Sequence, residues 1–292
     1  MRNLGSYILY AFNWLLALLP LRLLYIVSDG LYPLIYYVVR YRKKVVLDNL
    51  HHAFPEKDEK EIIRIAKNFY KHLCDVFVEN VKILGMSRDE MMRRVTYPNI
   101  KLFNDLYEQG KSIVCIMGHY ANWEMFIGFP LVDKHKTLAV YKPLNNETYN
   151  NLMIKSRSRF GTIPVPMHRT YREVAQALHE KKPFLLALLS DQRPMKNEIQ
   201  YWTNFLNQEA PIYLGPEKIA RKTNQVVCFA KMKKVKRGYY QVELVKLFDD
   251  PSSTQPYEIT QKHVEVLEQM IREKPEYWLW SHKRWKYKRS DL

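Results

Sequence analysis

Ser112-Ile-Val-Cys-Ile-Met-Gly-His119-Tyr-Ala-Asn-Trp-Glu124 is typical of a strand, a turn and the beginning of a helix. Residues 112–117 form a short apolar run rich in β-branched side chains, Gly118 interrupts this run, and a helix-compatible segment opens near Ala121. His119 is therefore predicted at the carboxyl end of a strand. In an α/β architecture reactive groups collect at this position, because the loops that leave the strands line a crevice.

An imidazole that acts as a base near neutral pH needs a partner. A carboxylate on one ring nitrogen fixes the tautomer and stabilises the imidazolium, and the other nitrogen stays free to take a proton from a hydroxyl. Glu124 can supply that carboxylate if the turn brings it towards His119, since on a continuous helix the two would lie roughly 140° apart. The alternative is a solvated histidine and a first-turn glutamate that counters the helix dipole.

His119 and Glu124 in this setting resemble the His-x4-(Asp/Glu) signature of the lysophospholipid acyltransferase superfamily, specifically its lipid A late acyltransferase (lauroyl/myristoyl acyltransferase) branch. The resemblance covers nearly the whole chain. Further blocks follow in the order typical of that branch: Tyr141-Lys142-Pro143, Arg157 with Arg159, Ser190-Asp191-Gln192, Gly215-Pro-Glu-Lys-Ile-Ala220, and the Trp-rich basic segment 275–286.

The resemblance implies an α/β fold with a mixed sheet flanked by helices, similar to glycerol-3-phosphate acyltransferase, and an N-terminal membrane-associating helix. It implies transfer of a fatty acyl chain from an acyl-carrier-protein thioester to a hydroxyl of a lipid A precursor, on the cytoplasmic face of a bacterial inner membrane. His119 and Glu124 would form the general-base dyad. Neither a cofactor beyond the thioester co-substrate nor a metal is expected.

Seven residues are candidates for substrate binding: Asn122, Lys142, Arg157, Arg159, Asp191, Gln192 and Arg193. Planar guanidinium groups suit a phosphate or the acidic face of a carrier protein. Lys142 stands where the branch usually has arginine, and Arg193-Pro194 follows the Asp-Gln pair where the branch often has an acidic residue or tyrosine. A lysophospholipid or another glycolipid as acceptor, and acyl-CoA as donor, therefore stay open.

The charge balance predicts an anionic partner. Lys and Arg number 46 against 30 Asp and Glu, a formal net charge of +16 over 292 residues, which suits a membrane lipid, a phosphorylated substrate, an acidic carrier protein or nucleic acid. A non-enzymatic basic protein that binds membrane or nucleic acid would explain the charge, but it would not explain a histidine and a carboxylate on one turn. The charge does not choose among these partners; the family resemblance implies an anionic membrane surface, a lipid acceptor and acyl carrier protein as partners, and no nucleic acid is expected.

Several catalytic motifs are absent from the sequence: Gly-x-Ser-x-Gly, a Walker A loop, Gly-x-Gly-x-x-Gly and His-Glu-x-x-His. An acyl-enzyme serine is therefore not expected. The three cysteines, Cys74, Cys115 and Cys228, are widely spaced and form no Cys-x-x-Cys pair. They are predicted to be small buried thiols in a reducing compartment.

The N-terminal region is predicted to be a membrane anchor or a set of interfacial helices over residues 1–40, ahead of a catalytic domain over residues 41–292. The apolar stretch 7–27 is interrupted by Asn13, Pro20 and Arg22, and a second apolar stretch covers 31–39. One tilted transmembrane helix, an interfacial helix pair and a buried core helix all fit this pattern. The basic residues that follow predict a cytoplasmic body; they are Arg40, Arg42, Lys43 and Lys44.

Elsewhere, apolar patterning predicts strands near 137–140, 184–189, 225–232 and 239–247, and helices near 62–81, 151–159, 216–222 and 260–273. The basic run 231–237 fits a hairpin with a solvated charged edge or a membrane-facing patch. Three tail tryptophans interleaved with basic residues suit a membrane interface or base stacking; they are Trp278, Trp280 and Trp285. Met125, Phe126 and Phe129 are candidates for the floor of an acyl tunnel or for core packing.

Overall fold

The computed structural model describes the backbone of residues 4–291 and the side chains of residues 11–290. Nine strands lie in that range: β1 (Val95–Thr96), β2 (Ile113–Met117), β3 (Lys136–Tyr141), β4 (Ile163–Pro166), β5 (Phe184–Leu189), β6 (Trp202–Phe205), β7 (Gln208–Pro211), β8 (Val226–Lys236) and β9 (Tyr239–Phe248).

Ten α-helices occur in the same range: α1 (Leu4–Leu18), α2 (Leu21–Pro33), α3 (Lys43–Ala53), α4 (Glu59–Ile83), α5 (Arg88–Arg94), α6 (Lys101–Glu108), α7 (Glu147–Arg157), α8 (Thr170–His179), α9 (Gly215–Thr223) and α10 (Glu258–Glu273). A π-helical segment (Leu34–Val39) continues α2, and a 3₁₀ segment (Trp123–Leu131) follows His119. Shorter 3₁₀ turns occupy Met167–Arg169, Lys196–Glu198, Pro251–Ser253, Pro275–Tyr277 and Arg289–Asp291.

Seven strands form one mixed sheet in the order β1-β9-β8-β2-β5-β3-β4, and β6 with β7 forms a separate antiparallel hairpin. Within the large sheet β8 and β9 are antiparallel, whereas the other neighbouring pairs are parallel. All five residues of β2 are buried, as expected for a central strand covered by helices on both faces. The predicted α/β fold with a mixed sheet flanked by helices is confirmed.

The register of the central strands sets the position of the site. Met117, the last residue of β2, is level with Leu189, the last residue of β5, and β3 pairs with β5 on its other side. Because carboxyl ends of neighbouring parallel strands meet at one edge of a sheet, the loops after β2, β5 and β3 converge there.

Most predicted strands and helices are present, and the three cysteines are buried and unbonded to one another. Two details differ. The segment after His119 is 3₁₀ rather than α-helical over Trp123–Leu131, and it contains Gly128 and Pro130, which both disfavour an α-helix interior. Phe77 follows the apolar period that predicts the helix near 62–81, but it is 56% exposed, because the second half of α4 turns Val76, Val78 and Glu79 inward.

The N-terminal helices form a bent apolar layer on the body. No single helix in the described part of the chain is long and apolar enough to cross a membrane, although Ala11–Leu18 and Leu21–Val39, bent by 118°, together have the length and composition. The inner face of α2 buries Leu21, Leu24 and Ser28, and its outer face exposes Leu23, Ile26 and Val27. This helix pair could associate with a membrane. Residues 1–3 of the predicted anchor lie outside the described residues.

The basic run 231–237 forms the end of the β8–β9 hairpin, as one alternative predicted. Part of it is neither a solvated edge nor a membrane-facing patch, because Lys234 and Arg237 are bound to Asp75 at 3.2 and 2.6 Å, and Arg237 also binds Asp29 at 2.6 Å. Some of the positive charge of the chain is therefore neutralised internally.

Two of the three tail tryptophans, Trp278 and Trp280, do not lie at a surface as the sequence analysis expected, whereas Trp285 is half-buried. Trp278 and Trp280 are 2% and 0% exposed, and their indole N–H groups donate to Asp191 and to the Pro275 carbonyl. Buried indoles that donate inward are not available to a membrane interface or to nucleic acid bases.

Candidate active site

His119 lies two residues beyond β2, and Asp191 lies two residues beyond β5. Since these strand ends are level, the two side chains meet. The Nδ1 atom of His119 is 2.6 Å from Asp191 Oδ1, and the His119 backbone N–H donates to Oδ2 at 3.0 Å. The Trp278 Nε1–H donates to the same Oδ2 at 2.8 Å. The Asp191 carboxylate thus holds both the backbone and the ring of His119.

Asp191 is buried, and burial alone would raise its pKa. The charge interaction with His119 and the hydrogen bonds from His119 and Trp278 outweigh burial and lower the pKa of Asp191 to about 2. Asp191 is therefore ionised at neutral pH. A carboxylate on Nδ1 fixes the proton on that nitrogen and leaves Nε2 as the acceptor.

The backbone around His119, which we call the His119 turn (residues 118–122), is held by the C-terminal segment. The His119 carbonyl accepts from the Leu279 N–H at 3.1 Å, and the Ala121 N–H donates to the Tyr277 carbonyl at 2.9 Å. Ala121 has φ of 53°, a conformation that non-glycine residues seldom adopt and that tends to persist where surrounding bonds impose it. The imidazole thus sits on a backbone whose shape is fixed from outside the turn.

Glu124 is bound to Arg157 rather than to His119. Arg157 Nε donates to Glu124 Oε2 at 2.9 Å and Nη2 to Oε1 at 2.5 Å, a bidentate geometry that suits a guanidinium and a carboxylate. Burial lowers and the Glu124 carboxylate raises the pKa of Arg157, with a net rise. The sequence predicted that the Glu124 carboxylate holds one nitrogen of the His119 imidazole. In the structure the Asp191 carboxylate holds that nitrogen, Nδ1.

A cavity of about 590 Å³ opens beside the His119 ring, well within the range of small-molecule sites. His119 and Glu124 line it, with Lys142, Arg157, Gln192 and Arg193. The Nε2 atom of His119 is 3.4 Å from the Gln192 amide nitrogen, and the Trp123 ring packs edge-on at 4.8 Å. Apolar residues make up much of the remaining wall, among them Met117, Phe126, Ile127, Ala139, Met153, Met167, Ala187 and Leu189.

A family model described as bacterial lipid A biosynthesis acyltransferase matches residues 1–287. The chain belongs to the bacterial lipid A biosynthesis acyltransferase family. None of the curated proteins compared with the chain matches it. The predicted family is confirmed, and with it the enzyme class of this lipid A-type acyltransferase.

Three of the predicted substrate-binding residues of this acyltransferase do not line the cavity. Asn122 is fully buried and donates to Glu79 at 2.7 Å. Arg159 is exposed and donates to the Met86 carbonyl at 2.8 Å. Asp191 lies behind His119, where it binds the imidazole. Their assignment as substrate contacts remains a prediction, and each has another partner in the structure.

Two residues that contribute to the acyltransferase site were not predicted as site residues from the sequence. Trp278 binds Asp191 through its indole N–H, and His282 lines the cavity, where burial lowers the pKa of its imidazole to about 4. Both lie in the Trp-rich tail. The sequence feature that could have indicated them is a cluster of tail side chains that can form hydrogen bonds when buried. The aromatic and basic composition of the tail suited a surface role equally well.

Proposed function

We propose that this acyltransferase moves a fatty acyl chain from an acyl-carrier-protein thioester to a hydroxyl of a lipid A precursor, with His119 as general base. The observation that supports this most directly is the Asp191 carboxylate on His119 Nδ1, with Nε2 left to face the cavity. A buried carboxylate partner is what an imidazole needs to take a proton from a neutral alcohol.

In the proposed step, His119 Nε2 takes the proton of the acceptor hydroxyl while the hydroxyl oxygen attacks the thioester carbonyl. A new C–O ester bond forms, the C–S bond breaks, and the imidazolium returns the proton to the departing thiolate. Asp191 stays ionised throughout and stabilises the imidazolium. General-base assistance of this kind contributes roughly 10²–10⁴-fold to the rate.

Negative charge that develops on the carbonyl oxygen needs a donor. The Gln192 amide lies beside His119 Nε2, so we propose Gln192 as an oxyanion donor. Arg193 lines the same cavity, but its Nε donates to the Lys283 carbonyl at 3.1 Å and its guanidinium lies over the Tyr287 ring. We propose that Arg193, like Lys142, acts at the cavity mouth, where phosphates of the acceptor or acidic carrier side chains would bind.

We propose a second role for Glu124, as the residue that holds Arg157 in the cavity wall. The bidentate pair fixes a guanidinium that would otherwise be mobile, and both groups face the cavity. A cation held there can contact a phosphate or a polarised carbonyl without moving during the reaction.

The apolar part of the cavity wall is the proposed seat of the acyl chain. Of the three residues predicted as a possible tunnel floor, Phe126 lines the cavity, whereas Met125 and Phe129 are buried in the core. We therefore propose that Phe126 limits the length of the acyl chain that the cavity accepts.

We propose that residues 1–40 seat the enzyme on the cytoplasmic face of the inner membrane, ahead of a catalytic domain of residues 41–292. The outward residues of α1, α2 and the π-helical segment present a broad apolar surface; they include Phe12, Trp14, Leu15, Ile26, Val38 and Val39. Basic residues follow at once, which suits anionic headgroups.

Mass spectrometry of lipid A and total lipids tests the reaction. The chain is expressed in a bacterial host that lacks its own late acyltransferases, and lipid A is expected to gain one acyl chain. The His119→Ala variant is expected to lose this gain. His179→Ala is the matched control, because His179 is exposed in the last turn of α8, and it should retain full activity.

Gain of an acyl chain on a different lipid would overturn the lipid A acceptor and keep the His119 chemistry. Equal acylation by the His119→Ala variant would overturn His119 as the base. The donor is tested with purified protein, where acyl carrier protein thioesters are expected to support transfer at lower concentration than the matching acyl-CoA.

A further inference from the structure

A buried carboxylate outside the cavity connects three separate parts of the molecule. Glu79, near the carboxyl end of α4, is 0% exposed, and its oxygens accept three hydrogen bonds. Tyr25 in α2 donates its hydroxyl at 2.8 Å, Asn122 in the His119 turn donates its amide at 2.7 Å, and Tyr240 in β9 donates its hydroxyl at 2.6 Å. Burial raises the pKa of Glu79, and the three donors oppose that rise.

The bond to Asn122 acts directly on the backbone that carries the base. Asn122 lies between His119 and Glu124, next to the strained Ala121, and its side chain is fully buried. Its Nδ2 donates to Glu79, while its Oδ1 has no partner within the described residues. No other group hydrogen-bonds the Asn122 side chain there, so Glu79 anchors this end of the His119 turn alongside the backbone bond from Ala121 to Tyr277.

The bond to Tyr25 connects the same carboxylate to the N-terminal helices. The Tyr25 hydroxyl lies under the turn of the β8–β9 hairpin, so close that a Cβ on Gly238 would lie 2.2 Å from it. The Arg237 guanidinium covers the Tyr25 ring at 4.2 Å. Tyr25 is therefore fixed, and a displacement of α2 would stretch or break its hydrogen bond to Glu79.

We propose that Glu79 is a positioning residue for the His119 turn and that, through Tyr25, it ties the seating of the N-terminal helices to the geometry of the catalytic base. The inference rests on the proposed function in one respect, namely that His119 is the base. Glu79 touches neither substrate nor reacting atoms and acts through Asn122.

A polarity swap tests the bond between Glu79 and Asn122. Asn122→Asp sets two buried carboxylates face to face and is expected to lower kcat about 100-fold while KM for the thioester changes little. Adding Glu79→Gln restores one donor and one acceptor, since the Gln amide can donate to the new carboxylate and the Tyr240 hydroxyl can rotate to accept. The double variant is expected to recover to within about 10-fold of wild type.

The tie to α2 is tested with single hydroxyl deletions. Tyr25→Phe removes the bond to Glu79 and is expected to lower kcat about 10-fold. Tyr32→Phe is the matched control on the same helix, because Tyr32 has no bond to Glu79, and its turnover should stay at the wild-type value. Equal turnover of the Tyr25→Phe and Tyr32→Phe variants would overturn the link to the N-terminal helices.

Hydrogen exchange of peptides that cover residues 118–126 gives a readout that does not depend on activity. Exchange is expected to rise in the Asn122→Asp variant and to fall back in the double variant. If wild type transfers no acyl chain to any lipid, the proposed function fails, and this exchange pattern alone decides the inference. The inference is overturned if adding Glu79→Gln to Asn122→Asp does not restore the exchange pattern and, in an active enzyme, kcat. It is also overturned if the Asn122→Asp variant behaves like wild type.

Discussion

Asp191 accepts hydrogen bonds from a histidine ring, a backbone amide and an indole, and the Oδ2 atom takes two of these three. An asparagine at this position would place its carbonyl oxygen where the two N–H donors converge, with its NH₂ towards His119 Nδ1. The imidazole would then have to accept on Nδ1 and carry its proton on Nε2. That tautomer cannot take a proton from the acceptor hydroxyl.

We therefore expect the Asp191→Asn variant to lose about 10²–10⁴-fold in kcat while it remains folded. Steady-state turnover of an acyl-carrier-protein thioester on a lipid A precursor measures the loss, with thermal unfolding as the check on the fold. Wild-type turnover in a folded Asp191→Asn protein would remove Asp191 from the proposed mechanism.

Glu124→Gln provides a contrast at the same site. This variant disrupts the pair with Arg157 and leaves the His119–Asp191 pair in place, so we expect its loss in kcat to be smaller than that of Asp191→Asn. Steady-state turnover of the two variants measures the difference. A larger loss in Glu124→Gln than in Asp191→Asn would support the dyad predicted from the sequence.

His119 could be recognised from the sequence because its signal is local: an apolar run, a glycine and a histidine. Asp191 was singled out as a polar residue at a second strand end, but its role as the imidazole partner depends on β2 and β5 being neighbours in register. That pairing joins residues 72 apart in the chain, and apolar strand patterns do not specify which strand lies beside which.

At the scale of elements, α1 packs on α4 and comes especially close to the chain just beyond the end of α4. A Cβ on Gly85 would lie 2.4 Å from the Ala17 carbonyl oxygen, which also accepts from Lys82 Nζ at 3.0 Å. The clash is with backbone, so α1 would have to move. Gly30 in α2 is the matched case, because a Cβ there meets no atom of the described residues within 4 Å.

We expect Gly85→Ala to lower the melting temperature and to expose α1 to limited proteolysis. Gly30→Ala is expected to be neutral or to stabilise the protein by up to about 1 kcal/mol, since alanine favours a helix over glycine. Differential scanning calorimetry and protease digestion of both variants provide the measurement. Equal behaviour of the two would show that α1 does not depend on this contact.

Elements with long apolar patterns were predictable, such as β5 and α10, whose periods are imposed by burial. The shortest strands and the β6–β7 hairpin were not predicted, because two to four residues carry too little pattern. The tail tryptophans were predicted at a surface, since composition alone does not distinguish a buried indole with a partner from an interfacial one.

Over the whole molecule, two buried histidines and one half-buried histidine make stability depend on pH. Burial lowers the pKa values of His72, His263 and His282 to about 3, 4 and 4, from an ordinary value of 6.5. The unfolded chain binds these protons more readily than the folded one. The contribution of these histidines to the free energy of unfolding is therefore fully present above pH 6.5 and is lost as the pH drops from 6.5 towards 4.

We expect the free energy of unfolding, measured by urea denaturation, to decline across that range. His263→Leu should flatten the decline by roughly 3 kcal/mol between pH 7 and pH 4, the size that its lowered pKa implies. Exposed His179→Ala should leave the slope as in wild type. An unchanged slope in His263→Leu would mean that His263 does not remain neutral in the folded protein.

The contacts of the His119 turn with Tyr277, Trp278 and Leu279 bear on how the protein is made. During translation the apolar N-terminal helices leave the ribosome long before residue 279 is added, and domains begin to fold from the N-terminus. Until the segment around residue 279 emerges, the turn lacks its outer bonds and Asp191 lacks one of its donors. A nascent chain thus carries its apolar N-terminal helices while its catalytic base is still unfinished, and a premature stop codon shortly before residue 275 would leave the base in that state.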